Sequence, residues 1–184
     1  MKKHNLAFID LETTGFDPDK HEIIEIGVII ARQVPMAGRG PKLEVLEEFE
    51  LKVKPEHLET ADQEALRLNS YNDADWLFAV SLEQALKLVQ EKTLDTIMVG
   101  QNVNFDWKFL EAGFKKTGLQ NKMHYHKLDL IPMVFAKTYN DDRLKYYNLQ
   151  GLAEYYGIKN DKAHTALADI KTTFAIYKKV LEIE

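Results

Sequence analysis

A short apolar run near the start of the chain ends in two acidic residues. Residues 6–9 are apolar, Asp10-Leu11-Glu12 follows, and the turn-forming residues 16–20 come next. This pattern predicts a buried strand. Because successive side chains alternate between the faces of a strand, Asp10 and Glu12 are predicted to point to one side, about 7 Å apart along the chain. Two ionised carboxylates repel each other, so the pair favours a divalent cation between them. The alternative is an exposed strand end whose acids are solvated.

Asp106 lies where the sequence changes from a strand pattern to a helix pattern. Residues 96–99 predict a strand, a polar stretch follows, and an apolar periodic segment then predicts a helix. We expect Asn104 to cap this helix, which places Asp106 in the first turn, where the helix dipole stabilises an anion. The alternatives are an ordinary first-turn acid at Asp106 and plain core packing of Phe105 and Trp107.

His164 and Asp169 stand at the start of the last predicted helix. Two residues that are five apart on a helix lie about 140° apart, so they do not share a face. They can share a site if His164 lies on the loop before the helix and Asp169 flanks its apolar stripe. The alternative is a solvent-exposed histidine near a helix start. The stripe consists of Leu167, Ile170, Phe174, Tyr177 and Leu181.

The order of these three segments resembles that of the DEDDh exonucleases, which are related to the epsilon subunit of bacterial DNA polymerase III and to ribonuclease T. The resemblance extends from Ala7 to about Ile176. Residues 24–28 resemble the family's second strand, and residues 148–152 the start of its penultimate helix. The resemblance implies an α/β ribonuclease H-like fold with a central mixed β-sheet flanked by α-helices. The motifs are Asp10-Leu11-Glu12-Thr13-Thr14-Gly15, Asn102-Val103-Asn104-Phe105-Asp106 and His164-Thr165-Ala166-Leu167-Ala168-Asp169.

The resemblance implies a 3′–5′ exonuclease that releases nucleoside monophosphates with the help of two divalent cations. Carboxylate oxygens favour hard ions, so we expect Mg²⁺ or Mn²⁺. Asp10 would bridge both ions, Glu12 and Asp169 would complete the site on the nucleophile side, and Asp106 would help to hold the second ion. His164 is the candidate general base, since its ordinary pKa is about 6.5.

Two positions that the resemblance places near the terminal nucleotide depart from the family. Gln101 replaces a histidine that many relatives have, and Asn69-Ser70-Tyr71 replaces a His-Gly-hydrophobic triplet. Base contacts therefore do not transfer directly. The resemblance assigns Leu11 and Thr13 to the terminal ribose; Phe105 and Tyr71 are candidates for contact with the base, with plain packing as the alternative.

The expected partner is the 3′ end of a nucleic acid, with single-stranded DNA favoured over RNA. Trimming of RNA 3′ ends is an alternative, because the 2′-hydroxyl is recognised by local contacts. A catalytically silent binding module is a further alternative, although such modules usually lose an acid and this chain keeps all four. The net charge of −5 argues against a tight grip on long duplexes, which requires a basic surface.

Length and composition predict one domain, residues 1–184, of ordinary globular type. The absence of cysteine excludes disulfides, thiolate catalysis and zinc–thiolate sites. No membrane span or signal-peptide core is visible, so we expect a soluble cytoplasmic protein that does not bind membranes. The chain ends directly after the last predicted helix. We therefore expect a free-standing nuclease rather than a subunit with a polymerase-tethering tail.

The remaining periodicity predicts the coarse organisation. Residues 23–31 and 43–53 predict two further strands, joined by a loop at residues 33–42 that is rich in proline and glycine. Residues 58–68 predict a helix. Ser81-Leu82-Glu83-Gln84 fits a capping box at the start of another. From Asn104 onward we expect mainly helices.

Overall fold

The computed structural model describes residues 3–36, 41–160 and 165–182. Its strands are β1 Leu6–Thr13, β2 Ile23–Val34, β3 Lys42–Lys52, β4 Ile97–Gly100 and β5 Lys127–Asp129. They form one five-stranded sheet in the order β3-β2-β1-β4-β5. The neighbours β3, β2 and β1 are antiparallel, whereas β4 and β5 run parallel to β1. The sheet is therefore mixed, and β1 lies at its centre, as the family resemblance implied.

Helices cover both faces of this sheet. The helices are α1 Gln63–Leu68, α2 Leu82–Lys92, α3 Val103–Thr117, α4 Leu130–Thr138, α5 Leu149–Tyr156 and α6 Ala166–Leu181, with a short 3-10 helix at Leu58–Thr60. Alternation along β1 divides the core into two layers. Ala7, Ile9 and Leu11 pack in the same layer as α2 and α3. Leu6 and Phe8 pack in the opposite layer with α4, α5 and α6.

The prediction of one continuous helix at residues 58–68 is wrong. The 3-10 turn ends at Thr60, and α1 begins only at Gln63. The Asp62 side chain caps α1 by accepting a hydrogen bond from the backbone N–H of Glu64. By contrast, the capping box at Ser81 and Gln84 is confirmed at the start of α2.

The start of α3 also differs from the prediction, because Asn104 lies inside the helix and is not its cap. The N-cap is Asn102, which has a left-handed backbone (φ 59°) and no capping side-chain bond. Asp129 supplies the missing acceptor: its carboxylate accepts the N–H groups of Asn102 (3.2 Å) and Val103 (3.1 Å). A cap that comes from a distant residue leaves no local sequence signal.

Mainly helical structure from Asn104 onward is confirmed by α3, α4, α5 and α6. The sequence pattern did not indicate β5, which has only three residues and is too short for a readable alternation. β2 continues to Val34, three residues beyond its predicted end and into the predicted loop at residues 33–42, of which residues 37–40 lie outside the described part. Within the described residues, no helix is both long and apolar enough to cross a membrane.

Candidate active site

The end of β1 brings the first two acids to one face, as the alternation predicted. Asp10 and Glu12 are half-buried, and Leu11 between them is buried in the core. Carboxylate oxygens of Asp10, Glu12 and Asp169 lie within 4.8 Å of one another. Residues that are more than 150 positions apart in the sequence therefore form one cluster of acids.

Asp169 reaches this cluster from the first turn of α6. The helix begins at Ala166, and its N-cap Thr165 accepts a hydrogen bond from the N–H of Ala168. Asn160 donates a hydrogen bond from Nδ2 to Oδ1 of Asp169 at 2.8 Å. The predicted flank position of Asp169 therefore agrees with the structure. His164 lies outside the described residues, so its predicted position on a loop stays a prediction.

Asp106 approaches the same strand from the first turn of α3. Its side chain is almost completely buried, and its Oδ1 accepts a hydrogen bond from the backbone N–H of Leu11 at 3.0 Å. This contact is available because the pairing of β1 with β4 ends at Phe8 and Val99, before β1 itself ends. Asp106 is thus bonded to the residue between Asp10 and Glu12.

The acids are held in an environment that disfavours their charged forms. Burial and then the charges of Asp106, Glu12 and Asp169 raise the pKa of Asp10 well above its ordinary value. Burial and the charge of Asp169 raise the pKa of Glu12 to about 8. Burial also raises the pKa of Asp106 to about 8, although its backbone hydrogen bonds oppose the shift. A bound divalent cation would reverse this balance. The all-oxygen donor set fits a hard ion such as Mg²⁺ or Mn²⁺.

A second group of potential metal ligands consists of Glu22, Glu56 and His57. The Lys116 ammonium contacts both carboxylates of this group, at 3.2 Å from Glu22 and 2.9 Å from Glu56. Its positive charge already stabilises the two acids, so this group has much less electrostatic need of a metal than the cluster at Asp10.

A cavity of about 360 Å³ adjoins Glu12. Three of the four predicted substrate contacts, Leu11, Thr13 and Phe105, line it. Tyr71 is not among the described lining residues; its ring packs on Trp76, with the ring centroids 4.9 Å apart. Phe16, which no sequence pattern indicated, is an exposed aromatic residue whose ring centroid lies 6.3 Å from that of Phe105. Among the residues that the structure describes, the lining consists of Leu11, Glu12, Thr13, Gly15, Phe16, Asp62, Glu64, Ala65, Leu68, Asn69 and Phe105.

Comparison with known proteins agrees with this arrangement. A family model described as "Exonuclease" and named after ribonuclease T matches residues 7–177. The chain belongs to this exonuclease family. The family resemblance noted in the sequence is thereby confirmed.

The relatives of this exonuclease chain include DNA polymerase III proteins. The PolC-type DNA polymerase III of Caldanaerobacter subterraneus subsp. tengcongensis is 30% identical over 173 residues, which cover 94% of this chain but 11% of the relative. The DNA polymerase III subunit epsilon of Aquifex aeolicus is 28% identical over 174 residues, which cover 95% of this chain and 79% of the subunit. The chain spans only about a tenth of the length of the PolC-type relatives, since the match covers 11% of one of these proteins and 12% of another.

A solved structure supports the fold of this exonuclease chain. Exonuclease I of E. coli, in complex with a dT13 oligonucleotide, superposes with a TM-score of 0.78 over 96% of this chain and 41% of that chain, at 20% sequence identity. This likeness concerns the fold and confirms the α/β ribonuclease H-like architecture with its mixed sheet.

The raised pKa of Glu12 leads to a prediction about the metal-free exonuclease chain. In the folded state the Glu12 carboxyl group has a pKa of about 8, so it keeps its proton up to about that pH. In the unfolded state it loses the proton at its ordinary pKa of 4.5. Its contribution to stability is therefore present below about pH 4.5 and lost as the pH rises towards 8. We expect Glu12→Gln to have a higher melting temperature than the parent at about pH 8 and a weaker pH dependence.

Thermal melts in chelator across this pH range would measure the effect, with the exposed Glu83→Gln as the matched control. Addition of Mn²⁺ should raise the melting temperature of the parent much more than that of Glu12→Gln. If the melting temperatures of the parent and Glu12→Gln depended on pH in the same way, the electrostatic account of the site would be contradicted.

Proposed function

We propose that this chain is a metal-dependent 3′–5′ exonuclease that removes nucleoside monophosphates from the 3′ end of single-stranded DNA. The observation that carries the proposal is the convergence of the Asp10, Glu12 and Asp169 carboxylates within 4.8 Å. Asp106 joins them through its hydrogen bond to Leu11. Membership of the exonuclease family supports the same reaction class.

The acids would hold two divalent cations, Mg²⁺ or Mn²⁺. When bound, such ions lower the pKa of the attacking water and stabilise charge on the phosphate oxygens. Asp10 interacts electrostatically with Asp106, Glu12 and Asp169, so its carboxylate would help to hold both ions. Glu12 and Asp169 would hold the ion on the nucleophile side, and Asp106 would help to hold the other. The hydrogen bond from Leu11 fixes the Asp106 carboxylate for this role.

His164 is the proposed general base. The imidazole titrates near neutral pH, so it can accept a proton from the attacking water and return it to solvent between turnovers. His164 precedes the N-cap Thr165 directly in the sequence, and Asp169 follows in the first turn of α6.

The cavity beside Glu12 is the proposed site of the 3′-terminal nucleotide. Its volume of about 360 Å³ lies within the range of small-ligand pockets, which is roughly 300–1,000 Å³. The backbone of Leu11 and Thr13 would contact the ribose. The Phe105 ring, which packs on Phe109 at 5.0 Å, offers a supported aromatic surface to the base.

DNA is the favoured substrate because of the relatives. The PolC-type polymerase and the epsilon subunit are DNA polymerase III proteins by name, and the E. coli exonuclease I structure contains a dT13 oligonucleotide. An acidic chain with a net charge of −5 also suits an enzyme that binds strand ends and draws its affinity from metal ions and local contacts rather than from long-range attraction.

The proposal is tested with DNA and RNA oligonucleotides that carry a label at the 5′ end, incubated with Mg²⁺ or Mn²⁺ and, in parallel, with chelator. We expect a ladder of DNA fragments that shorten from the unlabelled end, and no shortening in chelator. Preferential shortening of RNA would overturn the DNA assignment. Binding without shortening would instead identify a catalytically silent module.

His164→Ala separates the base from the metal ligands. We expect turnover to fall by about 100-fold or more, in the range of general-base contributions, while the affinities for Mn²⁺ and DNA change little. Single-turnover rates from about pH 6 to about pH 9, which spans the imidazole pKa, give the clearest readout, together with calorimetric titration of Mn²⁺. A variant that cleaves at the parental rate throughout this range would exclude His164 as the base.

A further inference from the structure

The start of α6 rests on two glutamates that lie outside the three exonuclease motifs. An α-helix leaves its first backbone N–H groups without partners inside the helix. The N–H of Ala166 donates to Oε2 of Glu25 at 3.4 Å, and that of Leu167 donates to Oε1 of Glu50 at 3.2 Å. The next N–H, of Ala168, donates to the hydroxyl of the N-cap Thr165 at 3.3 Å.

The two glutamates come from neighbouring strands of the sheet. Glu25 lies on β2, directly opposite Glu12 of β1, and is only 3% exposed. Glu50 lies on β3, opposite Gly27 of β2, and its carboxyl group interacts with that of Glu25. Both carboxyl groups also lie near the positive end of the α6 dipole, which stabilises acceptors and anions there.

Gly27 of β2 allows the helix to come this close. A Cβ atom at Gly27 would lie 2.7 Å from the backbone nitrogen of Leu167 and would also collide with the backbone carbonyl of Ala166. The first turn of α6 is therefore in direct contact with the sheet, with Gly27 beneath it and the two glutamates at its N–H groups. Asp169 follows Ala166 by three residues in the same turn.

We infer that Glu25 and Glu50 are positioning residues that anchor the first turn of α6 to the sheet and thereby hold Asp169 beside Asp10 and Glu12. They act by accepting hydrogen bonds and do not need to touch the metal ions or the substrate. The consequence for catalysis rests on the proposed function, whereas the anchoring itself does not. Loss of an outer partner that orients a ligand typically weakens metal binding by about 10- to 100-fold.

The test compares variants that keep or remove the acceptor atoms. Glu25→Gln keeps an acceptor for Ala166 and can donate to Glu50, whereas Glu25→Leu removes the acceptor at similar size. Glu50→Ala removes the second acceptor at an exposed position and so provides a variant with little risk to folding. Glu44→Ala is the matched control, because Glu44 lies on the same strand but pairs with Arg32 at 2.7 Å.

Two readouts do not depend on nuclease activity. In the metal-free protein, amide hydrogen exchange at Ala166 and Leu167 should be faster in Glu25→Leu and Glu50→Ala, and close to parental in Glu25→Gln and Glu44→Ala. The affinity for Mn²⁺ should fall by about tenfold in the first two variants and be retained in the other two. If the parent is an active nuclease, kcat should fall in Glu25→Leu and Glu50→Ala, while KM for the oligonucleotide is unchanged.

Several outcomes would overturn the inference. Unchanged exchange in Glu50→Ala would mean that the carboxylate does not anchor the helix. Equal loss of Mn²⁺ affinity in Glu25→Gln and Glu25→Leu would mean that the charge of Glu25, rather than its hydrogen bond, is required. A parent without exonuclease activity would refute the proposed function, but exchange and Mn²⁺ binding would still decide the role of the two glutamates.

Discussion

Asp10→Asn is expected to reduce the rate of 3′-end shortening by at least about 1,000-fold. The amide has nearly the same shape as the carboxylate, but it removes an anionic metal ligand that interacts electrostatically with Asp106, Glu12 and Asp169. Bound ions supply several kcal/mol of transition-state stabilisation, and about 4 kcal/mol corresponds to about 1,000-fold in rate. Loss of the shared ligand should therefore abolish most of the catalysis.

The measurement combines the oligonucleotide assay with calorimetric titration of Mn²⁺ into the same preparation. Glu83→Gln is the control, since it makes the same kind of change at an exposed residue that pairs with Lys87. Metal-free Asp10→Asn should also melt at a higher temperature than the metal-free parent at neutral pH, because the Asp10 carboxyl group, whose pKa burial and the neighbouring acids raise, destabilises the folded state at a pH above its unfolded pKa. A folded Asp10→Asn that keeps activity within about tenfold, or 1.4 kcal/mol, of the parent would refute the proposed ligand set.

The acids could be predicted from the sequence because each follows a local pattern. Asp10 and Glu12 continue the alternation of a buried strand, and that alternation alone places them on one face. Asp106 occurs early in a periodic apolar segment, so its place in the first helical turn was predictable even though the cap was assigned to the wrong asparagine. The family resemblance then connected these segments into one site.

Contacts between distant residues explain what the sequence did not reveal. Asp129 caps α3 from the end of a three-residue strand, and Glu25 bonds to Ala166, 141 positions away. A glutamate within a buried strand has no sequence pattern that would indicate a helix N-terminus as its partner. Phe16 was missed because it lies in a turn, where hydrophobic periodicity gives no information.

Gly27→Ala is expected to be the most destabilising single-methyl change at the site. The new Cβ would collide with the backbone at Ala166 and Leu167, and backbone atoms yield less readily than the end of a flexible side chain. Since this turn of α6 is bonded to Glu25 and Glu50, it can move only by losing those bonds. We expect a loss of about 3 kcal/mol in the free energy of unfolding, at the upper end of typical overpacking costs.

The displacement should also affect the site, because Asp169 lies in the turn that must move. Urea unfolding and Mn²⁺ titration measure the two effects, and Gly118→Ala is the control. Gly118 ends α3 with a φ of 71°, and among the described residues no heavy atom beyond its chain neighbours lies within 4 Å of an added Cβ. That change should therefore cost about 1 kcal/mol through backbone conformation alone and leave Mn²⁺ affinity unchanged. If Gly27→Ala were no less stable than Gly118→Ala and bound Mn²⁺ normally, α6 would not depend on its contact with β2. The placement of Asp169 would then have to come from the rest of the helix.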